Sequence, residues 1–277
     1  MNILKVEKRR MVHKLYIDSR KRIRGTSSCF AYQLVRPIEV PASRVFVDSV
    51  SLPNSFPSVH AGNRSVYIEE RVGNSDFKRK VALTEGFYDG FSLAEEVQTR
   101  INSGTNLAVP YTVTFEEKTG KLKISNTGVF SVWPDEALAK GQWDPRLGAG
   151  IPLYEQDSAN EVLGYYGKDA IQGTDAISNG HVSLMPYHSL FLHSDLGTQG
   201  DSMGPSGEQS IIRRVVLDQP PGAMIHDFHS LPHDFVSVPR GNIRTINFKI
   251  TNYEGKEVDM SHMNISFSLI FLDAEEF

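Results

Sequence analysis

The chain has 277 residues, of which 40% are apolar and 22% are charged, and its formal net charge at pH 7 is −4. This length is enough for one large all-β domain or two smaller ones, each with its own core. No apolar run is long enough to cross a bilayer, and residues 1–24 lack the apolar segment of a secretory signal, so we do not expect a secreted, membrane-spanning protein. The single cysteine, Cys29, cannot form an internal disulfide.

Positive charge is concentrated near the N-terminus. Residues 1–24 contain nine basic and two acidic side chains, a balance of +7, whereas the other 253 residues have a balance of −11. We therefore predict a basic N-terminal arm over residues 1–24 that contacts a polyanion or an acidic neighbouring subunit, with a solvated terminus as the alternative. The basic residues of this arm that we single out are Lys8, Arg9, Arg10, Lys14, Arg20, Lys21, Arg22 and Arg24.

The first part of the chain predicts a series of short strands. Residues 15–19 form the first, and residues 30–35 alternate between two faces until Pro37 stops the strand. Residues 44–52 are dense in β-branched side chains and lie between prolines, which favours a buried strand over a helix. Two further short candidates follow at residues 65–70 and 80–83.

One helix is predicted, over residues 92–102. Ser92 is the expected N-cap, and Glu95, three residues later, is the expected partner in a capping box. Gly104 ends the helix. The helix has an apolar stripe at helical spacing that consists of Leu93, Val97 and Ile101.

A hairpin and two long loops follow the helix. Residues 111–115 and 121–125 predict the clearest hairpin of the chain. Between residues 131 and 180 the pattern weakens, and a loop of this length in a compact domain is typical of a functional or mobile surface. Residues 197–210 are rich in glycine and serine and predict a second loop. Strand character returns in residues 182–193, 211–217, 223–228 and 235–238.

The C-terminal region shows the strongest strand pattern. Ile246, Phe248 and Ile250 fall on one face of residues 243–251, and a second alternation follows over residues 265–271. We predict that these two strands form a hairpin through the turn at residues 252–255. An isolated hairpin is marginally stable in water, so the rest of the chain must supply a sheet that covers it.

These elements together predict an all-β protein, a single jelly-roll β-sandwich with long inserted loops and one short helix. The predicted domain covers residues 25–277 and follows the arm. Its loop-rich insertion near residues 131–180 could form a small subdomain. The scarcity of helices excludes a parallel α/β architecture.

Residues 200–204 match the G-x-S-x-G pattern of a hydrolase nucleophile elbow around Ser202. That motif requires a strand before the serine and a helix after it, because the strained turn lifts the hydroxyl towards a histidine. Pro205 and Gly207 cannot open a long helix, so we interpret the segment as a glycine-rich loop. No phosphate loop or dinucleotide fingerprint occurs, and we expect no enzymatic activity.

Three histidines, His226, His229 and His233, lie within eight residues and are weak candidates for a metal site. Pro232 prevents helical placement, and no cysteine is nearby, so we predict a polar loop without a cofactor as the simpler reading. We interpret a separate set of carboxylates as surface charges, namely Glu69, Glu70, Glu85 and Asp89.

Several segments resemble the penton proteins, which are minor capsid proteins with a single jelly roll, of Polinton-like and adintovirus-like double-stranded DNA viruses. Each segment is a diffuse pattern rather than an invariant signature, but together they extend over nearly the whole chain. The segments are residues 15–20, 25–28, 47–54, 83–88, 92–95, 111–125, 162–164, 191–194, 203–208 and 247–271.

The resemblance implies a structural virion protein that is assembled inside the host cell. It would form homopentamers at the five-fold vertices, among trimers of a double jelly-roll major capsid protein, with a spike or fibre as a further partner. The basic arm would contact the genome, an inner membrane or a neighbouring capsid protein. The loops would supply interface residues, with Trp133 and Trp143 as candidate anchors. Both tryptophans could instead be core residues beneath the loop.

Two other functions fit the same sequence. A jelly-roll carbohydrate-binding or receptor-binding module, as in a fibre head, would stack exposed aromatic rings on sugars, with Tyr154, Tyr165 and Tyr166 as candidates. A cupin-like metal enzyme would need the histidines of residues 226–233 to point into the barrel. The basic arm favours the capsid protein.

Overall fold

A computed structural model describes residues 13–40, 43–147, 150–197, 202–228 and 234–273. The chain divides into two compact units. Residues 1–56 and 187–277 form the first, which we call the sandwich unit, and residues 57–186 form the second, which we call the inserted unit. The second unit is much longer than the insertion expected near residues 131–180, because strands and a helix between residues 65 and 132 pack within it.

The sandwich unit contains two antiparallel sheets of five strands each in its described residues. In the first sheet the order is β1 (His13–Asp18), β15 (Ser266–Asp273), β4 (Ser43–Pro53) and β12 (Met224–Asp227), and β13 (Val236–Val238) also pairs with β4. In the second sheet the order is β11 (Ile211–Val216), β10 (Ser189–Ser194), β14 (Gly241–Thr251), β3 (Cys29–Val40) and β2 (Arg24–Gly25). The prediction of an all-β, jelly-roll-like fold is confirmed.

The core of the sandwich unit follows from strand alternation. Ile246, Phe248 and Ile250 point inward from β14, as predicted, and all three are buried. The Phe248 ring lies 5.5 Å from Phe30 in its own sheet and 4.9 Å from Phe267 in the opposite sheet, measured between centroids. Aromatic and branched aliphatic side chains thus hold the two sheets together.

The predicted C-terminal hairpin is wrong, although both of its strands exist. β14 pairs with β3 and β10, whereas β15 pairs with β1 and β4 in the other sheet. The connection between them buries Val258 and Met260 as it passes from one sheet to the other. Alternation shows which face of a strand is buried but does not show which strand it pairs with.

The predicted boundary of the basic arm is also wrong, because residues 13–25 belong to the fold. Leu15 and Ile17 face the core from β1, and a short 3₁₀ segment, Ser19–Lys21, follows. Three of the predicted arm residues, Lys8, Arg9 and Arg10, lie outside the described residues.

The inserted unit is built on one antiparallel sheet. Its strands are β5 (Ser65–Val72), β6 (Ser75–Ala82), β7 (Thr112–Glu116), β8 (Lys121–Val132) and β9 (Ile171–Ile177), in the order β6-β5-β8-β7, with β9 also on β8. The predicted hairpin of residues 111–125 is present as β7 and β8. Helix α1 (Gly90–Asn102) buries Leu93, Val97 and Ile101 in the core that it shares with the sheet.

Helix α1 begins earlier than its predicted start. Asp89 is the N-cap and accepts a hydrogen bond of 2.7 Å from the backbone N–H of Ser92, whose hydroxyl in turn accepts one of 3.0 Å from the Asp89 N–H. Ser92 therefore closes the capping box from inside the helix. Two short helices, α2 (Asp135–Ala139) and α3 (Asn160–Leu163), and the 3₁₀ segments Pro145–Leu147 and Asp195–Gly197 complete the described elements. No described helix is long and apolar enough to span a bilayer.

Candidate assembly surface

The outward face of the first sheet of the sandwich unit is rich in serine. Alternation sends Phe267 and Leu269 into the core and therefore turns Ser266 and Ser268 to the other side of the sheet, although Ser268 itself is only 1% exposed. Across the sheet these serines lie opposite Ser51 and Ser49 of β4, and the rows continue to Tyr16 on β1 and His226 on β12. We call this surface the serine face; it consists of Tyr16, Ser49, Ser51, Ser266, Ser268 and His226.

Most of the polar groups of the serine face are paired with one another. The Ser49 and Ser268 hydroxyl oxygens are 2.8 Å apart, and Ser268 donates a hydrogen bond of 3.0 Å to Asp48. Asp48 also accepts a hydrogen bond of 2.7 Å from Lys14, which lowers the pKa of the carboxyl despite its partial burial. Groups already paired within the face lose little hydration when a partner covers it. The face is therefore suited to contact another protein.

Exposed apolar side chains lie at the margins of the serine face. Tyr16 is 73% exposed at one margin, and Met224 and Phe228 are 47% and 63% exposed at the other. The His226 ring stacks on Phe228 with a centroid distance of 5.8 Å and an interplanar angle of 10°. A flat centre of small residues with larger apolar side chains around it permits close approach of a second surface.

At the edge of the sandwich next to this margin, a buried arginine joins the two sheets. Arg213 of β11, in the second sheet, donates two hydrogen bonds of 2.8 and 2.6 Å to Asp227 of β12, in the first sheet. Its remaining terminal nitrogen donates one of 2.9 Å to Asp234. The hydrogen bonds that Arg213 donates to Asp227 and Asp234 outweigh burial and raise the pKa of Arg213. These ion pairs fix β12, and with it one side of the serine face.

Of the three histidines predicted as weak metal ligands, His226 is the one that the structure describes. His226 Nδ1 lies 3.0 Å from the Ser51 hydroxyl, and His229 and His233 lie outside the described residues. In the part of the chain that is described, no three His, Cys, Asp or Glu side chains are grouped so that they could hold a metal.

Ser202 of the G-x-S-x-G pattern has a structural partner. Its hydroxyl donates a hydrogen bond of 2.7 Å to the Ile211 carbonyl, at the start of β11. Gly200 and Asp201 lie outside the described residues. The described part of the segment is loop, in agreement with our interpretation.

The structure places both tryptophans in a small core of the inserted unit. Trp143 is 2% exposed, donates a hydrogen bond of 2.8 Å to the Pro152 carbonyl, and packs edge-on against Tyr67. Trp133 is half-buried, with its ring centroid 5.5 Å from that of Trp143. The ammonium of Lys78 lies 4.7 Å from the Trp133 ring centroid. These contacts match the second role considered above, that of core residues beneath the loop.

Two of the three tyrosines that we considered for stacking on sugars are packed inside the inserted unit. Tyr165 is fully buried, and its hydroxyl donates a hydrogen bond of 2.9 Å to the Ala176 carbonyl. Tyr154 packs edge-on against Tyr67. Tyr166 remains, and it is 48% exposed.

The serine face was not recognised from the sequence, although the signal is present. Ser49 and Ser51 alternate with Val50 and Leu52, just as Ser266 and Ser268 alternate with Phe267 and Leu269. Two successive outward serines on each of two strands predict a patch of small polar side chains if the strands are neighbours. Their pairing became known only with the structure.

Comparison with known proteins finds similarity in fold but not in sequence. No protein-family model matches the chain, and no curated protein matches it in sequence. Among solved structures, the fold is similar to the crystal structure of the mavirus penton protein, with a TM-score of 0.52 and 13% sequence identity. The similarity covers 96% of this chain and 99% of that chain. At this identity the comparison concerns the fold alone, and it extends over nearly the full length of both chains.

Proposed function

We propose that the chain is a structural virion protein, a penton that assembles as a homopentamer at the five-fold vertices of a double-stranded DNA virus capsid. The observation behind this proposal is the similarity of its fold to the mavirus penton protein over 96% of the chain. The proposed role requires neither catalysis nor a cofactor. We expect the protein to reach the virion after assembly inside the host cell.

In a closed ring, each subunit contacts its two neighbours through two different patches. The serine face is our candidate for one of them, because its centre consists of small side chains and most of its polar groups are paired internally. Four strands of about six residues give it sides of about 20 Å each. That is about half of the roughly 800 Å² per partner buried in a standard interface, so residues beside the sheet must contribute the rest.

The proposed neighbours at the vertex are trimers of a double jelly-roll major capsid protein, with a spike or fibre as a further partner. The similarity of the fold to a penton supports a partner of this class, since pentons occupy positions within a larger shell. Contact of Lys8, Arg9 and Arg10 with the genome, an inner membrane or a neighbouring capsid protein stays a prediction.

The test is the mass and symmetry of the purified protein. Light scattering at physiological salt, at two protein concentrations, should give the mass of five copies of the 30.9 kDa chain. Negative-stain class averages should show five-fold rings. A stable trimer would contradict the proposal and would favour a fibre head instead.

A substitution pair tests the role of the serine face in the ring. Tyr16→Arg places a long cation on the face at an exposed position, and we expect it to reduce the pentamer to smaller species. Tyr166→Arg changes a tyrosine of the inserted unit that is 48% exposed and serves as the matched control. If Tyr16→Arg still forms pentamers, the serine face is not part of the interface, but the proposal of a pentamer stands.

A further inference from the structure

One end of the sandwich unit contains more arginines than acidic residues in its sequence. The segments at this end, residues 33–40, 43–45 and 236–245, contain four arginines and a single acidic residue, Glu39. β15 adds Asp273, opposite Ser43. We call this surface the arginine end; it is defined by Arg36, Arg240 and Arg244.

A bulge in the β3–β14 pairing creates the arginine end. Gln33 lies opposite Thr245 and Ile38 lies opposite Ile243, so that four residues of β3 face Arg244 alone. The extra residues, 34–37, form a bulge that includes Arg36 and the fully exposed Val35. The bulge that contains Arg36 therefore lies opposite the part of β14 that contains Arg244, and both arginines are exposed.

The two arginines of the bulge differ from most other arginines of the chain. Among the described residues, neither Arg36 nor Arg244 has a hydrogen-bond or ion-pair partner. Arg240 reaches Glu39 at 3.7 Å, and both side chains are more than three-quarters exposed. Elsewhere, arginines pair with a carboxylate at 3.0 Å or less, namely Arg20, Arg64, Arg71, Arg79, Arg100, Arg146 and Arg213. Among the described arginines, Arg36 and Arg244 are thus the two that have no hydrogen-bond or ion-pair partner at all.

The described part of β1 begins at this end of the sandwich unit. His13, the first described residue of β1, pairs with Phe271 of β15, and Phe271 pairs with Val45 of β4. Because Val45 belongs to the arginine end, β1 begins there as well. The 12 residues before it contain Lys5, Lys8, Arg9 and Arg10 against Glu7 in sequence.

We propose that the arginine end binds the phosphate backbone of double-stranded DNA without sequence preference. Guanidinium groups match phosphate oxygens as paired donors, and contacts of this kind need no base recognition. A site for single-stranded nucleic acid requires aromatic rings on which the bases stack. A site that inserts into a membrane requires bulky apolar side chains. In the described residues of these segments, Val35 is the one large apolar side chain that is exposed. Duplex phosphate is the ligand that fits.

The test uses the full chain and a fluorescein-labelled 30-base-pair duplex of random sequence. Anisotropy titrations between 25 and 200 mM NaCl give the slope of the logarithm of the binding constant against the logarithm of salt. Each phosphate contact contributes about −0.9 to that slope. We expect R36Q/R244Q to make the slope shallower by about 1.8, and R36K/R244K to restore most of it because the charge is retained.

The control K118Q/K168Q removes two charges from exposed lysines of the inserted unit and should leave the slope unchanged. An R36Q/R244Q slope equal to that of the unmodified chain overturns the proposal. The proposal is also overturned if binding to vesicles that contain anionic lipid depends on Arg36 and Arg244 whereas binding to duplex DNA does not.

DNA binding by this end does not require a ring, so light scattering on the same samples keeps the two proposals apart. Loss of pentamers with the DNA slope intact would count against the proposed assembly alone. Pentamers that bind DNA equally well with and without the two arginines would count against the DNA site alone. Thermal unfolding of each variant confirms that it is folded.

Discussion

The two units of the molecule are stabilised in different ways. The sandwich unit has a core of aliphatic and aromatic side chains, and its buried ion cluster around Arg213 lies at the edge of the sheets. The inserted unit has a charged group deep inside: Glu70 of β5 is 0% exposed. The first arrangement tolerates exchange of one apolar residue for another, whereas the second depends on particular polar residues.

Glu70 shows how the inserted unit uses a buried charge. It accepts hydrogen bonds from Arg79 at 2.5 Å, from Thr105 at 2.8 Å, from the backbone and side chain of Asn106 at 2.8 Å each, and from Tyr111 at 3.1 Å. One carboxylate thus fixes a neighbouring strand, the loop after α1 and the start of the β7 region. The comparison of the two units shows that a loop-rich region can be fixed by one buried carboxylate whose hydrogen bonds are all satisfied.

The largest expected effect is in the sandwich core. Phe248→Ala should lower the free energy of unfolding by about 3–5 kcal/mol, because it removes a ring packed between two others and leaves a cavity. Chemical denaturation combined with hydrogen exchange, read on peptides of the sandwich unit, measures the loss. Lys249→Ala changes the exposed neighbour and is the control; an equal effect of both would show that Phe248 is not a core residue.

The next effect is in the inserted unit. Glu70→Leu should cost about 3 kcal/mol, because it leaves Arg79 buried without its carboxylate and four further donors without an acceptor. Hydrogen exchange of peptides in residues 65–112 should increase. Glu69→Gln, whose partner Lys78 is 3.7 Å away, is the matched control and should have a small effect. If Glu70→Leu is as stable as the unmodified chain, the network does not hold the loop.

A smaller effect appears when pH is changed. Burial alone would raise the pKa of Glu70, but hydrogen bonds from Asn106 and Thr105 and the charge of Arg79 bring it below its ordinary value. A carboxyl with a lowered pKa in the folded state stabilises the fold above its unfolded-state pKa and loses that contribution as pH falls through the folded-state pKa. Stability of the inserted unit should therefore decrease in acid, below about pH 4.5.

The acid dependence is measured by urea unfolding between pH 3 and pH 7. In Glu70→Gln the decrease towards low pH should become shallower, since the group that takes up the proton is absent. An unchanged pH profile would mean that other carboxylates, such as Asp157 beside Lys80, account for the acid sensitivity.

The smallest effect concerns the cap of helix α1. Asp89→Ala removes the acceptor for the Ser92 N–H, so amides of the first helical turn should exchange faster while the rest of the helix keeps its protection. Glu95→Ala changes the residue that the sequence suggested for the capping box and should leave exchange unchanged. The reverse result would restore Glu95 as the capping partner.

Much of the sandwich could be predicted because its signal is local. Alternation alone identifies Ile246, Phe248 and Ile250 as core residues, and β-branched density identifies β4. What alternation cannot provide is the pairing of strands, since period 2 is the same in every sheet. For this reason we predicted a hairpin of β14 and β15, whereas the two strands lie in different sheets on opposite sides of the core.

The inserted unit was harder to predict, and so was its polar network. Glu70 was interpreted as a surface charge because carboxylates are usually exposed, and its donors lie up to 41 residues away in sequence. The long loop expected at residues 131–180 contains α2, α3 and β9, which are short and lack clear periodicity. The burial of Glu70 and the structure of residues 131–180 both depend on contacts between residues that are distant in sequence. Local sequence patterns do not indicate such contacts.

The pairing of β1 with β15 has a consequence for synthesis. The serine face combines Tyr16, near the beginning of the chain, with Ser266 and Ser268, about 250 residues later. A nascent chain on the ribosome therefore lacks this face until residues 266–273 have emerged, however much of the inserted unit has already folded. Incomplete chains cannot present the complete surface, so the contact that we propose for it becomes available only after β15 has been translated.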